Sequence, residues 1–142
     1  MHGNHFTTMQ QLPDMTILIA EDERPVRMLL RVVLEAAGAR VIEADDGAQA
    51  VRLFDLHPEV DLVCTDMNMP NLDGRGLVDA LHLRRRSVPI VICSALDLTD
   101  DVAGITERVD GLVQKPFHPG DLVRTLRAAA DRAAERRSAA AS

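Results

Sequence analysis

Short apolar runs in this sequence are followed directly by ionisable or hydroxyl side chains. Glu21 and Asp22 follow the first run, Asp66 the third, Ser94 the fourth and Lys115 the fifth. If these runs are parallel strands, their carboxyl ends meet at one edge of a sheet, which is where open α/β folds bind ligands. Three carboxylates gathered there repel one another unless a cation offsets them. Mg²⁺ suits such oxygen ligands, and the lysine adds a further positive charge.

This combination of side chains predicts phosphoryl-transfer chemistry. Asp66 is the candidate nucleophile, because a carboxylate can form a covalent aspartyl phosphate. A phosphoryl group brings roughly two negative charges, which a divalent cation and Lys115 could together neutralise. Phosphoryl transfer asks little more of a protein than positioning and charge stabilisation of this kind.

The surrounding pattern predicts five strands that alternate with five helices. Short β-branched runs place the strands at residues 16–20, 40–43, 60–65, 89–93 and 111–114. Helical spacing and helix-start signals place the helices at about residues 25–37, 46–57, 73–85, 98–107 and from 119 onward. Asp46 is expected to cap the second helix, with Gln49 three residues later. Right-handed crossovers make this a doubly wound α/β fold with a parallel sheet.

Composition narrows the classes of function. The net charge of −6 argues against a protein that binds nucleic acid or an anionic membrane. The N-terminus does not read as a signal peptide, and no apolar run reaches the length of about 18 residues that a spanning helix needs, so we expect a cytoplasmic protein. Cys64 and Cys93 lie inside strand-like runs and are expected to be buried free thiols. With three Phe and no Trp or Tyr, the chain lacks the stacking surfaces of a flavin or single-strand site.

The two ends of the chain fall outside this alternation. Residues 1–14 are polar and are expected to be disordered, and residues 15–130 form the predicted domain. Residues 131–142 are rich in Ala and Arg, and we interpret them as a frayed extension of the last helix or as a linker stub. Arg84, Arg85 and Arg86 end the third helix, where opposing the helix dipole is the favoured interpretation over a nucleic-acid patch.

The order and spacing of the motifs resemble those of receiver domains in two-component response regulators. The matching segments are Glu21-Asp22-Glu23, residues 66–74 (DMNMPNLDG), Ser94-Ala95 and Lys115-Pro116-Phe117. They fall in sequence over about residues 15–130. The resemblance implies a flavodoxin-like sheet with strand order 2-1-3-4-5. It also leaves open whether the chain is a stand-alone receiver or part of a longer protein.

The resemblance implies a role for each residue of the metal site. Asp66 would accept a phosphoryl group from a sensor histidine kinase or a histidine phosphotransfer protein. Glu21, Asp22, Asp66 and the backbone carbonyl of Asn68 would hold Mg²⁺, for which Mn²⁺ is an expected substitute. Glu21 stands where many members have Asp, so its extra methylene should alter the metal geometry modestly.

The resemblance also implies roles for the residues that respond to the phosphoryl group. Lys115 would contact one phosphoryl oxygen, and Ser94 would move to hydrogen-bond another. The small Ala95 would leave the group open to attack, and the peptide bond before Pro116 is commonly cis. Leu112 stands where many members carry Tyr or Phe, so the usual inward swing of an aromatic ring is not available here.

The function implied is a signalling switch that catalyses its own phosphorylation and slow dephosphorylation rather than a conventional enzyme. Its output would be protein–protein contact by a monomer or weak dimer, with no direct nucleic-acid binding and no membrane insertion. A constitutive scaffold of the same fold is one alternative, although the retained Asp66, Ser94 and Lys115 argue against it. A phosphohydrolase with a separate substrate is another, but such enzymes use a second Asp where this chain has Asn68.

Overall fold

The computed structural model describes residues 11–95 and 104–141. The strands are β1 (Thr16–Ala20), β2 (Arg40–Ala44), β3 (Leu62–Thr65), β4 (Ile90–Ser94) and β5 (Gly111–Gln114). The α-helices are α1 (Arg24–Ala36), α2 (Gly47–Leu56), α3 (Gly74–His82) and α4 (Pro119–Ala141). Strand bounds therefore agree with the sequence prediction to within two residues.

The five strands form one parallel sheet in the order β2-β1-β3-β4-β5. This is the flavodoxin-like order that the resemblance implied, and it is confirmed. The chain reverses its direction across the sheet between β1 and β3, which are hydrogen-bonded neighbours. In open α/β folds the ligand site lies beyond the carboxyl ends of the strands at such a reversal.

Among the described helices, α1 and α4 pack on one face of the sheet and α2 and α3 on the other. Alternate strand residues point to opposite faces, so a strand contributes to both cores. Ile17 and Ile19 of β1 belong to the core under α1 and α4, together with Leu34 and Leu126. The intervening Leu18 belongs to the other core, which includes residues of α2 and α3. Both faces of every central strand are thus apolar, which explains why these strands read as continuous hydrophobic runs.

Within the described ranges the chain forms four α-helices, so the prediction of five is corrected. The helix predicted at residues 98–107 falls largely on residues 96–103, which lie outside the described part. Gly104 lies in a turn with a φ of 87°, a left-handed conformation that does not continue an α-helix. Thr106–Arg108 then form one turn of 3₁₀ helix before β5.

The segment before β1 contributes to the core. The side chain of Leu12 is fully buried among residues of α1, β1 and α4. Its amide donates to the Ala37 carbonyl at 2.9 Å, and the Asp14 amide donates to the Gly38 carbonyl at 3.0 Å. Disorder was expected for residues 1–14; residues 1–10 lie outside the described part of the chain, whereas Leu12 and Asp14 make the ordered contacts just given.

Helix α4 extends beyond the sheet to Ala141. Ala129 and Ala133 are its last two buried positions, and later residues are exposed. Arg132 and Arg136 tie this part of the helix to Asp110, through the backbone carbonyl and the carboxylate respectively. Among the described helices, α4 included, none has both the length and the hydropathy to cross a bilayer.

Candidate functional site

The three site residues at strand ends are placed by the hydrogen-bond ladder of the sheet itself. The amide of Glu21 donates to the Ala44 carbonyl at 3.1 Å, and the amide of Asp66 donates to the Ala20 carbonyl at 3.0 Å. The amide of Lys115 likewise donates to the backbone carbonyl of Ser94, the last residue of β4, at 2.7 Å. Each residue extends its strand's pairing by one position, so its side chain starts from a fixed point at the carboxyl edge.

Three carboxylates meet at this edge. One oxygen from each of Glu21, Asp22 and Asp66 lies within 4.8 Å of the other two. Glu21 is 1% exposed and Asp66 is 7% exposed, whereas Asp22 is open to solvent. Two acidic groups are therefore removed from water while a third faces it, which makes a pocket with one open side.

Lys115 bridges the two buried carboxylates. Its Nζ atom donates to Glu21 Oε1 at 2.5 Å and to Asp66 Oδ2 at 3.3 Å. Burial raises the pKa of Glu21, and the lysine hydrogen bond offsets this only in part. For Lys115, burial lowers the pKa, but the hydrogen bond to Glu21 and the charge of Asp66 outweigh it and the net pKa is raised. One lysine is thus protonated among three acids.

The carboxylate of Asp66 is oriented from two sides. Its Oδ1 atom accepts a hydrogen bond from the amide of Met67 at 2.7 Å, while Oδ2 faces Lys115. The hydroxyl of Thr65 donates to the Asp66 backbone carbonyl at 2.8 Å. These contacts keep the carboxylate at the edge of the pocket, where an incoming group can approach it.

The donor set fits a hard divalent cation. Carboxylate oxygens are the ligands that Mg²⁺ prefers, and this ion commonly keeps several waters, which the exposed side at Asp22 would admit. Glu21 has one oxygen on Lys115 and the other on the Glu23 amide at 3.0 Å. A second positive charge would reduce the repulsion that Lys115 alone leaves among Glu21, Asp22 and Asp66.

The remaining predicted site residues lie at the end of β4, on the loop after Asp66, within β5 and directly after it. Ser94 ends β4 and is fully buried, and Ala95 beside it is exposed. Asn68 is exposed on the loop two residues after Asp66, which places its carbonyl on the segment expected to complete the metal site. Leu112 in β5 is half-buried against the core under α2 and α3. The peptide bond between Lys115 and Pro116 is cis, as predicted.

Sequence reasoning gave no role to Arg27, which supports the site from α1. Its Nη1 atom donates to the Glu21 carbonyl at 2.8 Å, and its Nε atom donates to Glu43 at 3.3 Å. The arginine therefore fixes the backbone that carries the first carboxylates. The sequence feature that could have indicated this role is the position of Arg27 one turn into a helix that begins directly after Glu23.

The fold and this edge together define a doubly wound domain with an acidic, lysine-bridged pocket at its topological switch point. A family model described as the response regulator receiver domain matches residues 17–127. The chain belongs to this family of two-component signalling proteins. The family named from the sequence motifs is therefore confirmed.

Relatives with curated names are response regulators and transcriptional regulators. Response regulator GtcR of Aneurinibacillus migulanus is 40% identical over 121 residues, which cover 84% of this chain and 49% of that protein. The phosphate regulon transcriptional regulatory protein PhoB of Escherichia coli is 35% identical over 117 residues, covering 79% and 50%. The chain thus spans about half the length of these relatives.

Solved structures support the same fold. The receiver domain of Francisella response regulator 1452 superposes with a TM-score of 0.76 at 27% identity. The match covers 84% of this chain and 99% of that one. The similarity therefore extends over essentially the whole of a receiver domain.

Proposed function

We propose that this chain is a phosphorylation-dependent switch in which Asp66 accepts a phosphoryl group from a sensor histidine kinase or a histidine phosphotransfer protein. The observation that carries the proposal is the cluster of Glu21, Asp22 and Asp66 around the Nζ atom of Lys115. A structural ion pair would need one acid for one lysine. Three acids for one lysine leave an excess of negative charge that a cation can balance.

In the proposed reaction an Asp66 carboxylate oxygen attacks the phosphorus atom of a phosphohistidine. The new O–P bond forms as the N–P bond breaks, and the electron pair of the broken bond stays on the donor's imidazole nitrogen. Mg²⁺, held by Glu21, Asp22, Asp66 and the Asn68 carbonyl, would supply positive charge to the phosphoryl oxygens. Later attack by water on phosphorus would release inorganic phosphate and restore the carboxylate.

In this proposal Lys115 is the first group to respond to phosphorylation of Asp66. In the present arrangement its ammonium is shared between Glu21 and Asp66. A phosphoryl group on Asp66 would offer it a more strongly charged acceptor, because a phosphoryl group carries about two negative charges and a carboxylate only one. Ser94 would supply the second hydrogen bond from the end of β4.

The proposed output is a change in protein–protein contacts near β5 and α4. Leu112 packs in the core beside β4, so a movement of Ser94 would be passed on through packing rather than through an aromatic ring. A cytoplasmic location and a monomer or weak dimer are parts of the same proposal. The absence of direct nucleic-acid binding stays a prediction, and the named relatives include transcriptional regulators.

The test is to incubate the full chain with Mg²⁺ and acetyl phosphate and to weigh the intact protein by mass spectrometry. We expect the mass to rise by one phosphoryl group in the wild type. The Asp66→Asn variant should show no rise, because an amide is a poor nucleophile, and chelation of Mg²⁺ by EDTA should prevent the rise in the wild type.

The same measurement distinguishes the proposed switch from a constitutive scaffold. A scaffold would show no mass increase under any condition. An equal increase in the wild type and in Asp66→Asn would also contradict the proposal, because the phosphoryl group would then reside on another side chain.

A further inference from the structure

The loop that follows Asp66 is held at its middle by the first residues of α2. The side-chain amide of Asn71 donates to Asp46 Oδ2 at 2.6 Å. The backbone amide of Gly47 donates to the Leu72 carbonyl at 3.0 Å. Two consecutive residues of one segment thus bind two consecutive residues of the other, and we call these four residues the loop latch.

The residue types of the loop latch are dictated by close approach and backbone conformation. A Cβ atom on Gly47 would lie 2.2 Å from the Leu72 carbonyl oxygen, a backbone atom that cannot give way without moving the loop. Asn71 has a φ of 68°, a left-handed conformation that Asn tolerates better than most residues. Position 47 therefore needs a glycine for its amide to reach the Leu72 carbonyl. Asn71 supplies both a residue that tolerates the left-handed conformation and a side-chain donor for Asp46.

Asp46 is a rigid anchor because its carboxylate also caps α2. Its Oδ1 atom accepts the Gln49 amide at 2.8 Å, as the sequence predicted, while Oδ2 accepts Asn71. The Gln49 side chain returns to the Asp45 amide at 2.6 Å. The hydrogen bonds from Gln49 and Asn71 hold the pKa of Asp46 below its ordinary value.

The two ends of the loop are fixed independently of the loop latch. At its start, the Met67 amide donates to the Asp66 carboxylate at 2.7 Å. At its end, the Gly74 amide donates to the Met67 carbonyl at 2.8 Å, and a Cβ atom on Gly74 would lie 2.4 Å from the Asp66 carbonyl oxygen. The stretch from Asn68 to Pro70 lies between these fixed ends and directly before Asn71, with Asn68 and Pro70 exposed and Met69 half-buried against the core under α2 and α3.

We infer that Asp46 and Asn71 are positioning residues that place the Asn68 carbonyl against the three carboxylates of the site and so set the affinity for Mg²⁺. The inference rests on the proposed function, because it assigns a task to that same site. Neither residue touches the reacting atoms. Their effect passes through the backbone of the loop, because residues that hydrogen-bond to a metal-ligating segment set the position of its ligand atom.

Two variants break the side-chain contact of the loop latch while sparing the rest. Asn71→Gly keeps the left-handed backbone without strain and removes the donor. Asp46→Ser keeps a helix-capping oxygen for the Gln49 amide but is too short to reach Asn71. Both should raise the Kd for Mg²⁺ by about tenfold, the lower end of the effect usual when a residue that supports a metal ligand is replaced.

The affinity is measured by isothermal titration calorimetry with MgCl₂, since the chain has no Trp or Tyr to report binding by fluorescence. Acetyl phosphate labelling of the same variants should be slow at low Mg²⁺ and recover at saturating Mg²⁺. A residue needed only for folding would lower the melting temperature without moving this Mg²⁺ dependence.

Gln49→Ala is the matched control. It removes the side-chain acceptor of the Asp45 amide at the same helix start but leaves the Asn71 contact in place. It should lower the melting temperature and leave the Kd for Mg²⁺ unchanged.

The possible failures are distinguishable. Wild-type affinity for Mg²⁺ in both Asn71→Gly and Asp46→Ser would overturn the inference, whatever the wild type does with acetyl phosphate. A weakened affinity in Gln49→Ala equal to that in Asn71→Gly would overturn it too. If the variants bind Mg²⁺ less tightly but the wild type takes up no phosphoryl group, the inference stands and the proposed function falls.

Discussion

At the carboxyl edge of the sheet three carboxylates share one lysine, whereas at the amino edge the arginines have partners of their own. The amino-edge ion pairs are Arg84 with Asp55, Arg108 with Asp79, and Arg136 with Asp110, at N–O distances of 2.8, 2.6 and 2.8 Å. Arg86 completes the group by stacking on Phe54 at 3.8 Å and donating to the carbonyls of Phe54 and His57.

The two edges also differ in exposure. The side chains of Arg84 and Asp55 are 30% and 49% exposed, so solvent screens their attraction. Those of Lys115 and Glu21 are 12% and 1% exposed, so an imbalance of charge there is felt strongly. The number of charged residues alone therefore does not identify a functional site. A buried cluster in which acids outnumber bases does identify one.

The amino edge also refines the interpretation of the arginine run. Arg84 donates to the carbonyl of Ala80 in the last turn of α3 at 2.8 Å, which agrees with the expected opposition to the helix dipole. Arg86 instead joins the loop before β4 to the end of α2. Two of the three arginines, Arg84 and Arg86, therefore tie the segment after α3 to the end of α2.

Removing the lysine is expected to have the largest effect of the changes that separate the two edges. In Lys115→Met the buried Glu21 and Asp66 lose their shared partner, which should lower the free energy of unfolding by about 3 kcal/mol in EDTA. Added Mg²⁺ should restore more stability to the variant than to the wild type, and acetyl phosphate labelling should be lost. Urea unfolding followed by circular dichroism measures the stability in both buffers.

One result would contradict the prediction for Lys115→Met. If Mg²⁺ stabilises the variant no more than the wild type, the carboxyl edge carries no excess of negative charge and the contrast between the edges fails.

A smaller effect is expected from Arg86→Met. Loss of the stacking on Phe54 and of two carbonyl hydrogen bonds should lower the free energy of unfolding by about 2 kcal/mol. The Nε atom of Arg86 is buried without a hydrogen-bond partner, so its removal offsets part of the loss. The Kd for Mg²⁺, measured by calorimetry, should stay at the wild-type value.

Arg84→Gln is the control for the amino edge. It breaks a half-exposed ion pair and should lower the free energy of unfolding by less than Arg86→Met does. Altered Mg²⁺ affinity in Arg86→Met but not in Arg84→Gln would show that the two edges are coupled through α2.

A pH-dependent effect is expected from Cys93, a buried residue of β4 one position before Ser94. Burial raises the pKa of the Cys93 thiol from near 9 to about 12. The folded state therefore favours the protonated thiol, and this contribution is complete below pH 9 and is lost as the pH rises towards 12. The loss is about 1.4 kcal/mol for each pH unit in that window.

Urea unfolding at pH 8 and pH 10 measures this loss in the wild type and in Cys93→Ala. The wild type should lose about 1.4 kcal/mol more than the variant between the two pH values. An equal loss in both proteins would contradict the role of Cys93 and leave the alkaline instability to Cys64, another buried thiol whose pKa is raised, or to Lys115.

The strands and the site were predictable for one physical reason. Central parallel strands are buried on both faces, so runs such as residues 17–20 and 90–93 are continuous in apolar residues. A polar residue directly after such a strand must lie at the carboxyl edge. The sequence therefore predicts that Glu21, Asp66 and Lys115 lie together.

Contacts between distant segments were not predictable in this way. The bond between Asp46 and Asn71 joins residues 25 positions apart, and neither a period nor a motif in the sequence pairs them. The cap of α2 by Asp46 was predicted and is confirmed, because capping depends on three neighbouring residues only. The stacking of Arg86 on Phe54 depends on how two helices meet, which local patterns do not encode.

The buried Leu12 has a consequence for how a fragment of this protein should be cut. The family match begins at residue 17, and the regular alternation of strands and helices begins at Thr16. An expression boundary chosen at either position would discard a side chain that fills the space between α1 and α4. The resulting void would cost about 2–5 kcal/mol, comparable to deleting a core leucine inside the domain.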